Sequence, residues 1–171
     1  IYFRESLTSQ SSDWQKVNSW NVSGLSSNTT YEFYIKTRNA EGVENSEQGP
    51  FYKTTLSDSP QNAEAIGNWS NEHGYFCQVS WQSGGNQSGY RVYRDAPSGV
   101  GELVYEGIDT SFIDDSLEEG TTYEYYIYSI NSDNEENPNY ISDTAQTPPA
   151  PPADLTVTEI TQNEATLNWA S

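Results

Sequence analysis

Leu25-Ser-Ser-Asn-Thr-Thr-Tyr31-Glu-Phe33-Tyr-Ile35 returns as Leu117-Glu-Glu-Gly-Thr-Thr-Tyr123-Glu-Tyr125-Tyr-Ile127, 92 residues further on. Each copy runs from a Leu through Thr-Thr-Tyr into alternating residues, the period of a strand with one face buried. Working outward, Tyr2-Phe3-Arg4-Glu5 is echoed by Val92-Tyr93-Arg94-Asp95 at 90 residues, and Val79-Ser80-Trp81 by Leu167-Asn168-Trp169 at 88. Three spacings near 90 define one repeated unit. A unit of that size with short alternating strands is a β-sandwich.

Composition agrees. The 171 residues include 13 Tyr and 5 Trp, and residues of that kind fit strands better than helices. No long stretch keeps helical spacing, so the class is all-β. Twenty-five acidic residues against seven basic ones give a net charge of −18. That field repels phosphate backbones and anionic lipid heads, which argues against nucleic acid and membrane surfaces as partners. Divalent cations and cationic surfaces remain compatible with it, and the charge also keeps a long extracellular chain soluble. There is no apolar run long enough to insert in a membrane. One cysteine rules out an intrachain disulfide framework. Cys77 alternates with Tyr75, Val79 and Trp81 on one face, so it reads as a small core residue. The chain opens on Ile1 rather than Met, which implies a processed or longer parent.

Within the unit the pattern resembles the fibronectin type III family across essentially the whole chain. Trp81 matches the Trp that ends the family's second strand. Tyr90-Arg-Val92-Tyr-Arg94 matches its third strand, and Leu117 with Tyr123 matches the tyrosine corner that opens its sixth. The resemblance implies tandem immunoglobulin-like sandwiches, with the Trp filling the space between sheets and the corner Tyr bonding backbone across the connection. Residues 1–57 are expected to hold the third strand onward of one unit (strands C to G), and residues 58–147 a complete unit. Residues 148–152, Pro-Pro-Ala-Pro-Pro, read as a stiff spacer, and residues 153–171 as the first two strands of a further unit. The strands expected in the complete unit lie near 61–66, 74–81, 89–95, 102–106, 109–113, 122–131 and 139–146.

Little here supports catalysis. His73 is the only histidine and sits in the polar run Ser70-Asn-Glu-His73-Gly74, without a nucleophile motif nearby. One His and one Cys cannot close a zinc tetrahedron without carboxylates. No catalytic, cofactor-binding or metal residue is assigned. Calcium is the one ion with candidate ligands, at Asp114-Asp115, Glu118-Glu119 and Asp133-Asn134-Glu135-Glu136, although none has the spacing of a dedicated loop and solvated acidic loops look the same. Alternation sends Tyr126 and Tyr128 outward in the sixth strand and Tyr93 outward in the third, with Phe3 and Tyr34 as their counterparts in the first unit. Such a row could contact sugar rings or a neighbouring subunit, or simply stabilise the sheet by cross-strand pairing. Asn21, Asn28, Asn68 and Asn86 head glycosylation sequons, and no Arg-Gly-Asp tripeptide occurs.

Two function classes follow. One is an extracellular structural or adhesive module of a surface fibre, stalk or spacer, assembling head to tail with copies of itself or with neighbouring domains. In that reading Leu155, Leu167 and Trp169 enter the core of a neighbouring copy beside Tyr2, Tyr31, Phe33 and Ile35. The other is an accessory segment of a secreted polysaccharide-active enzyme, with the aromatic row on carbohydrate. The Val-Tyr-Arg-Asp run and the Pro-Ala-Pro-Pro spacer are similar to bacterial secreted repeats of the family.

Overall fold

A computed structural model describes residues 1–170; Ser171, the last residue of the expected terminal segment, lies outside the described residues. Among the described residues every element is a strand, and the strands form four antiparallel sheets. Seven strands, β4 (Gln61–Ser70), β5 (Gly74–Gln82), β6 (Gly89–Arg94), β7 (Glu102–Gly107), β8 (Ser111–Leu117), β9 (Thr122–Ile130) and β10 (Ile141–Gln146), build one sandwich. One sheet has the order β4-β5-β8, the other β10-β9-β6-β7. The first, second and fifth strands thus face the third, fourth, sixth and seventh, the fibronectin type III arrangement that the resemblance implies.

Alternation decides what fills the space between them. Cys77, Val79 and Trp81 from β5 meet Tyr90 and Val92 from β6 and Tyr125 and Ile127 from β9 in a single buried cluster. Trp81 lies edge-on to Tyr90, Tyr105 and Phe112 at 5.2, 5.7 and 6.4 Å between ring centres, a geometry that aromatic quadrupoles favour. At the rim, Gly67 lets β4 run against β10, since a Cβ there would sit 1.9 Å from the Gln146 carbonyl oxygen. The Ala65 amide donates to Asp143 across the same seam at 2.9 Å.

One polar network is buried in this core. Arg94 donates to both oxygens of Asp114, at 3.0 and 2.8 Å, and the Tyr125 hydroxyl donates to the same carboxylate at 2.8 Å. Burial opposes the Arg94 charge, but Glu102 and Asp114 outweigh it and hold the guanidinium protonated. Burial likewise pushes the Cys77 thiol upward, away from a reactive thiolate.

The first 57 residues form a single sheet of order β1-β2-β3, from β1 (Tyr2–Glu5), β2 (Thr30–Lys36) and β3 (Gln48–Thr54). The tyrosine corner is present in both copies of the opening motif. Tyr31 accepts the Ser26 amide at 2.8 Å, and Tyr123 accepts the Glu118 amide at 2.9 Å. Phe3 pairs with Ile35 and Glu5 with Phe33, just as Val92 pairs with Ile127 and Arg94 with Tyr125. The structural counterpart of Val92 is therefore Phe3, not Tyr2. This corrects two expectations at once: Phe3 lies on the core side, facing Trp20, and Tyr2 lies on the outer side with Lys36. A one-residue difference in register moves every side chain to the opposite face, and the four-residue motif was too degenerate to fix it. Glu5 takes the place of Arg94 and is fully buried. Its carboxylate accepts the amides of Leu7 and Thr8 and the Thr8 hydroxyl. Burial works against the ionised form, but these donors outweigh it and hold the carboxyl below its ordinary range.

After the spacer, β11 (Ala153–Ile160) and β12 (Ala165–Ala170) pair only with each other.

Two measurements check this core. Trp81→Ala should lower unfolding free energy in urea by about 3–5 kcal/mol, because it removes the ring that three other aromatics pack on. Tyr31→Phe and Tyr123→Phe should each cost about 1 kcal/mol, and the two losses should add because the corners share no partner.

Candidate functional site

Two features are built rather than incidental: the outer aromatic face of each large sheet, and the joint between residues 1–57 and the following sandwich.

On the sandwich, Tyr93 and Tyr126 are cross-strand partners, and Arg91 sits opposite Tyr128. Their side chains leave the core side, as alternation requires. They do not form an open row. Tyr128 is only 5% exposed, which corrects the expectation that it is free on the surface. Tyr140, in the approach to β10, packs on Tyr126 and Tyr128 at 5.4 and 5.0 Å between ring centres. The loop after β6 folds over the other side, where the Ser98 amide donates to the Tyr128 hydroxyl at 3.2 Å. Glu136 gathers this cover: it accepts the Tyr93 hydroxyl at 2.6 Å, the Ser98 hydroxyl at 2.6 Å and Arg91 at 3.3 Å. Burial raises the cost of its charge, but those three donors outweigh it and hold the carboxyl below its ordinary range. Tyr93 and Tyr126 are half-exposed, and the Tyr126 phenol is pushed up to about 12, first by the Glu124 carboxylate.

The first sheet presents a different outer face. Tyr34 lies under the Arg4 guanidinium at 3.8 Å, and Arg4 also pairs with Glu47. Tyr2 packs on Trp14 at 5.6 Å, and Arg38 covers the Trp14 ring at 4.3 Å. Tyr52 is 63% exposed. Tyr2, Trp14, Tyr52 and Tyr140 thus belong to the outer faces without having been read from the sequence. Trp14 lies outside regular strands, where no alternation flags it; Tyr140 falls just ahead of β10, which starts at Ile141 rather than at residue 139 as expected, and Tyr2 takes the face opposite to the expected one.

The joint is polar and specific. Asn28 holds a positive φ of 43°, a conformation that asparagine tolerates better than most residues. From there its side chain accepts the Ser132 amide at 2.8 Å and donates to Ser88 at 3.2 Å. Asn131, buried, accepts the amides of Asp133 and Glu135 and donates to the Thr55 carbonyl at 3.2 Å. Asp133 accepts the Thr54 amide at 3.1 Å, Lys53 pairs with Glu135, and Asn137 donates to the Ser57 carbonyl at 2.6 Å. Segment 131–137 is therefore a clasp on the end of β3 and the strand-to-strand connection that follows it.

The clasp uses acids considered for calcium. Asp133, Glu135 and Glu136 face Thr54, Lys53 and the Arg91–Tyr93–Ser98 group, and Asp114 faces Arg94. Among the described residues no three His, Cys, Asp or Glu side chains converge as a metal cage. His73 stands 3.4 Å from Asp115 and packs on Phe76. Leu155, Leu167 and Trp169 are 62%, 50% and 60% exposed on the terminal hairpin.

No protein-family model matches the chain, and no curated protein matches it. Among solved structures it is similar to a segment of two fibronectin type III domains from chicken tenascin. That match is 20% identical, covers 85% of this chain and 82% of that one, and has a TM-score of 0.48. It is also similar to a Fn3-like protein from Clostridium thermocellum, at 20% identity over 54% of this chain and 94% of that one, with a TM-score of 0.42. A third is FN3tt, at 12% identity, 54% and 97% coverage and a TM-score of 0.44. Strand order and the two tyrosine corners, rather than these likenesses, carry the fold: a β-sandwich of the fibronectin type III kind, preceded by a sheet that repeats its later strands.

Glu136→Gln should lower stability at neutral pH by about 1–3 kcal/mol, because three charge-assisted contacts go with the charge. The folded carboxyl lies below its unfolded value, so its contribution is present above the ordinary carboxylate range. It is lost as pH falls through the ordinary carboxylate range and then through the lower folded value. Melting curves across that range should show a shallower acid limb for the variant than for the native chain.

Proposed function

We propose that this chain is a non-catalytic structural module, a stiff segment of an extracellular fibre, stalk or spacer built from tandem sandwiches. The observation that carries the reading is the clasp between residues 1–57 and the β4–β10 sandwich. A flexible tether needs no inter-unit hydrogen bonds, whereas here Asn28, Asn131, Asp133 and Asn137 each bond backbone across the joint. Each direct bond of this sort contributes about 0.5–1.5 kcal/mol, and several in parallel fix an angle between units. The strong negative charge keeps such rods from associating side by side. Pro148, Pro149 and Pro151 line an apolar crevice together with Trp69 and Tyr75, and the second connection is stiffened by proline geometry rather than by a clasp.

A second reading, an accessory segment that grips polysaccharide, is favoured by Tyr52 at 63% exposure and Tyr140 at 42% on outer faces. Electrophoresis through gels containing soluble polysaccharides, with Tyr52→Ala and Tyr140→Ala as controls, separates the two. Retardation abolished by those variants would favour the second.

For the first reading, the distribution of angles between units in electron micrographs should be narrow for the native chain. It should broaden in Asn28→Ala combined with Asn131→Ala. A native distribution as broad as that of the double variant would overturn the stiff-module reading.

A further inference from the structure

Two of the four glycosylation sequons interlock at the joint. Asn28-Thr29-Thr30 belongs to the first unit and Asn86-Gln87-Ser88 to the sandwich. The Asn28 side-chain nitrogen donates to Ser88, the hydroxyl residue of the other sequon, at 3.2 Å. The Asn86 side-chain nitrogen donates back to Ser27, the neighbour of Asn28, at 3.3 Å. The other two sequon asparagines take no part in the joint. Asn21 is exposed, and the Asn68 nitrogen reaches the Ile66 carbonyl on its own strand at 3.5 Å.

The two joint asparagines differ in what their side-chain oxygens do. Asn28 Oδ1 accepts the Ser132 amide at 2.8 Å, so both ends of this side chain are engaged across the joint. Asn86 is exposed, and among the described residues no hydrogen bond reaches its Oδ1. Its backbone holds the loop instead, donating to the Asp58 carboxylate at 3.0 Å and accepting the Asp58 amide at 3.2 Å. N-glycosylation moves an oligosaccharide from a lipid diphosphate carrier to the asparagine Nδ2. A bond forms from the sugar C1 to nitrogen, the bond from C1 to the diphosphate oxygen breaks, and one amide proton leaves with the diphosphate. The product is a secondary amide, planar and trans, so the sugar lies on the same side of the C–N bond as Oδ1. At Asn86 that side carries no partner. At Asn28 it is the side from which the Ser132 amide arrives, and a sugar and the clasp loop cannot both occupy it.

We infer that Asn28 is a modification site that releases the joint: an N-linked sugar on Asn28 excludes the clasp, whereas one on Asn86 leaves it closed. The inference rests on the structural-module reading and gives that joint its regulation. Ser132 lies between Asn131 and Asp133, whose bonds to Thr55 and Thr54 hold the end of β3, so displacing it loosens all three. Folding protects the site. The Thr30 hydroxyl, which completes the Asn28 sequon, is paired with the hydroxyl of buried Thr54 at 2.8 Å. Transfer to Asn28 therefore precedes the pairing of β2 with β3, and a chain modified there folds with its units unlatched. A chain that folds first keeps the joint shut. Occupancy of one nitrogen thus sorts chains of identical sequence into hinged and stiff ones.

The test uses the full chain secreted by a host that transfers N-linked oligosaccharide, in two versions that both carry Asn21→Gln and Asn68→Gln. In one, Asn86→Gln leaves Asn28 as the sole acceptor. In the other, Thr30→Val ends the Asn28 sequon but keeps its side chain, and Asn86 is the sole acceptor. Both are trimmed enzymatically to the first sugar and compared with the same chains from a host without transfer. The Ser132 amide has Asn28 as its acceptor, so its hydrogen exchange reports the clasp. It should quicken roughly tenfold with a sugar on Asn28 and stay unchanged with one on Asn86. The angle distribution of the Asn28-modified chain should match that of Asn28→Ala with Asn131→Ala. Three results would overturn the inference. One is a Ser132 amide that exchanges no faster with the Asn28 sugar present. Another is equal quickening in both versions, which would make bulk rather than position the cause. The last is a secreted chain whose Asn28 carries no sugar by peptide mass. Exchange at Ser132 is independent of stiffness. Broad angles in the unmodified chain, with Ser132 responding as expected, would sink the stiff-module reading alone, and narrow angles with an unresponsive Ser132 would sink this inference alone.

Discussion

A sheet with one apolar face has to cover that face, and everything else in this chain follows from how it does so. In the β4–β10 sandwich two sheets cover each other, and Trp81 is the side chain that spans the gap. Remove that mutual cover and the same strand types behave differently. Segment Ser19–Leu25 has the residues of β8 but no ladder, and β12 has the residues of β5 but no buried side chain. Strand-forming sequence is therefore necessary here and not sufficient; the neighbour completes it.

Polar groups inside the fold obey a second condition, that each buried charge find partners. Arg94 and Glu5 occupy equivalent places on the third strand of their units, with opposite charge. Arg94 reaches Asp114 on the facing sheet, while Glu5 turns back onto the amides of Leu7 and Thr8. The position tolerates either sign because the local environment supplies the complement. The same economy explains the acidic loop 131–137. Its carboxylates and amides are spent on the end of β3 and on the tyrosine cover of the outer face, so one loop sets both the joint and the exposure of Tyr128.

The outer faces consequently differ between the two units. In the sandwich, Tyr140 and the loop after β6 close over Tyr93, Tyr126 and Tyr128, with Glu136 as the shared acceptor. In the first sheet, cations do the covering, with Arg4 on Tyr34 and Arg38 on Trp14. Both arrangements keep large rings from forming one wide apolar patch.

The residues alone set the strands, their period and the core of the sandwich. Alternation over five or more residues leaves little freedom, and Cys77, Val79, Trp81, Val92, Tyr125 and Ile127 are buried together as read. The sequence also set both tyrosine corners, because a Leu and a Tyr at fixed spacing close a local loop. The face that Tyr2 and Phe3 take, the cover over Tyr128 and the clasp at Asn28 and Asn131 were decided only by tertiary structure. The first depends on register against a strand some thirty residues away, where a slip of one inverts every side chain. The other two depend on irregular loops, whose side chains carry no period to read and acquire partners only when the chain brings distant segments together.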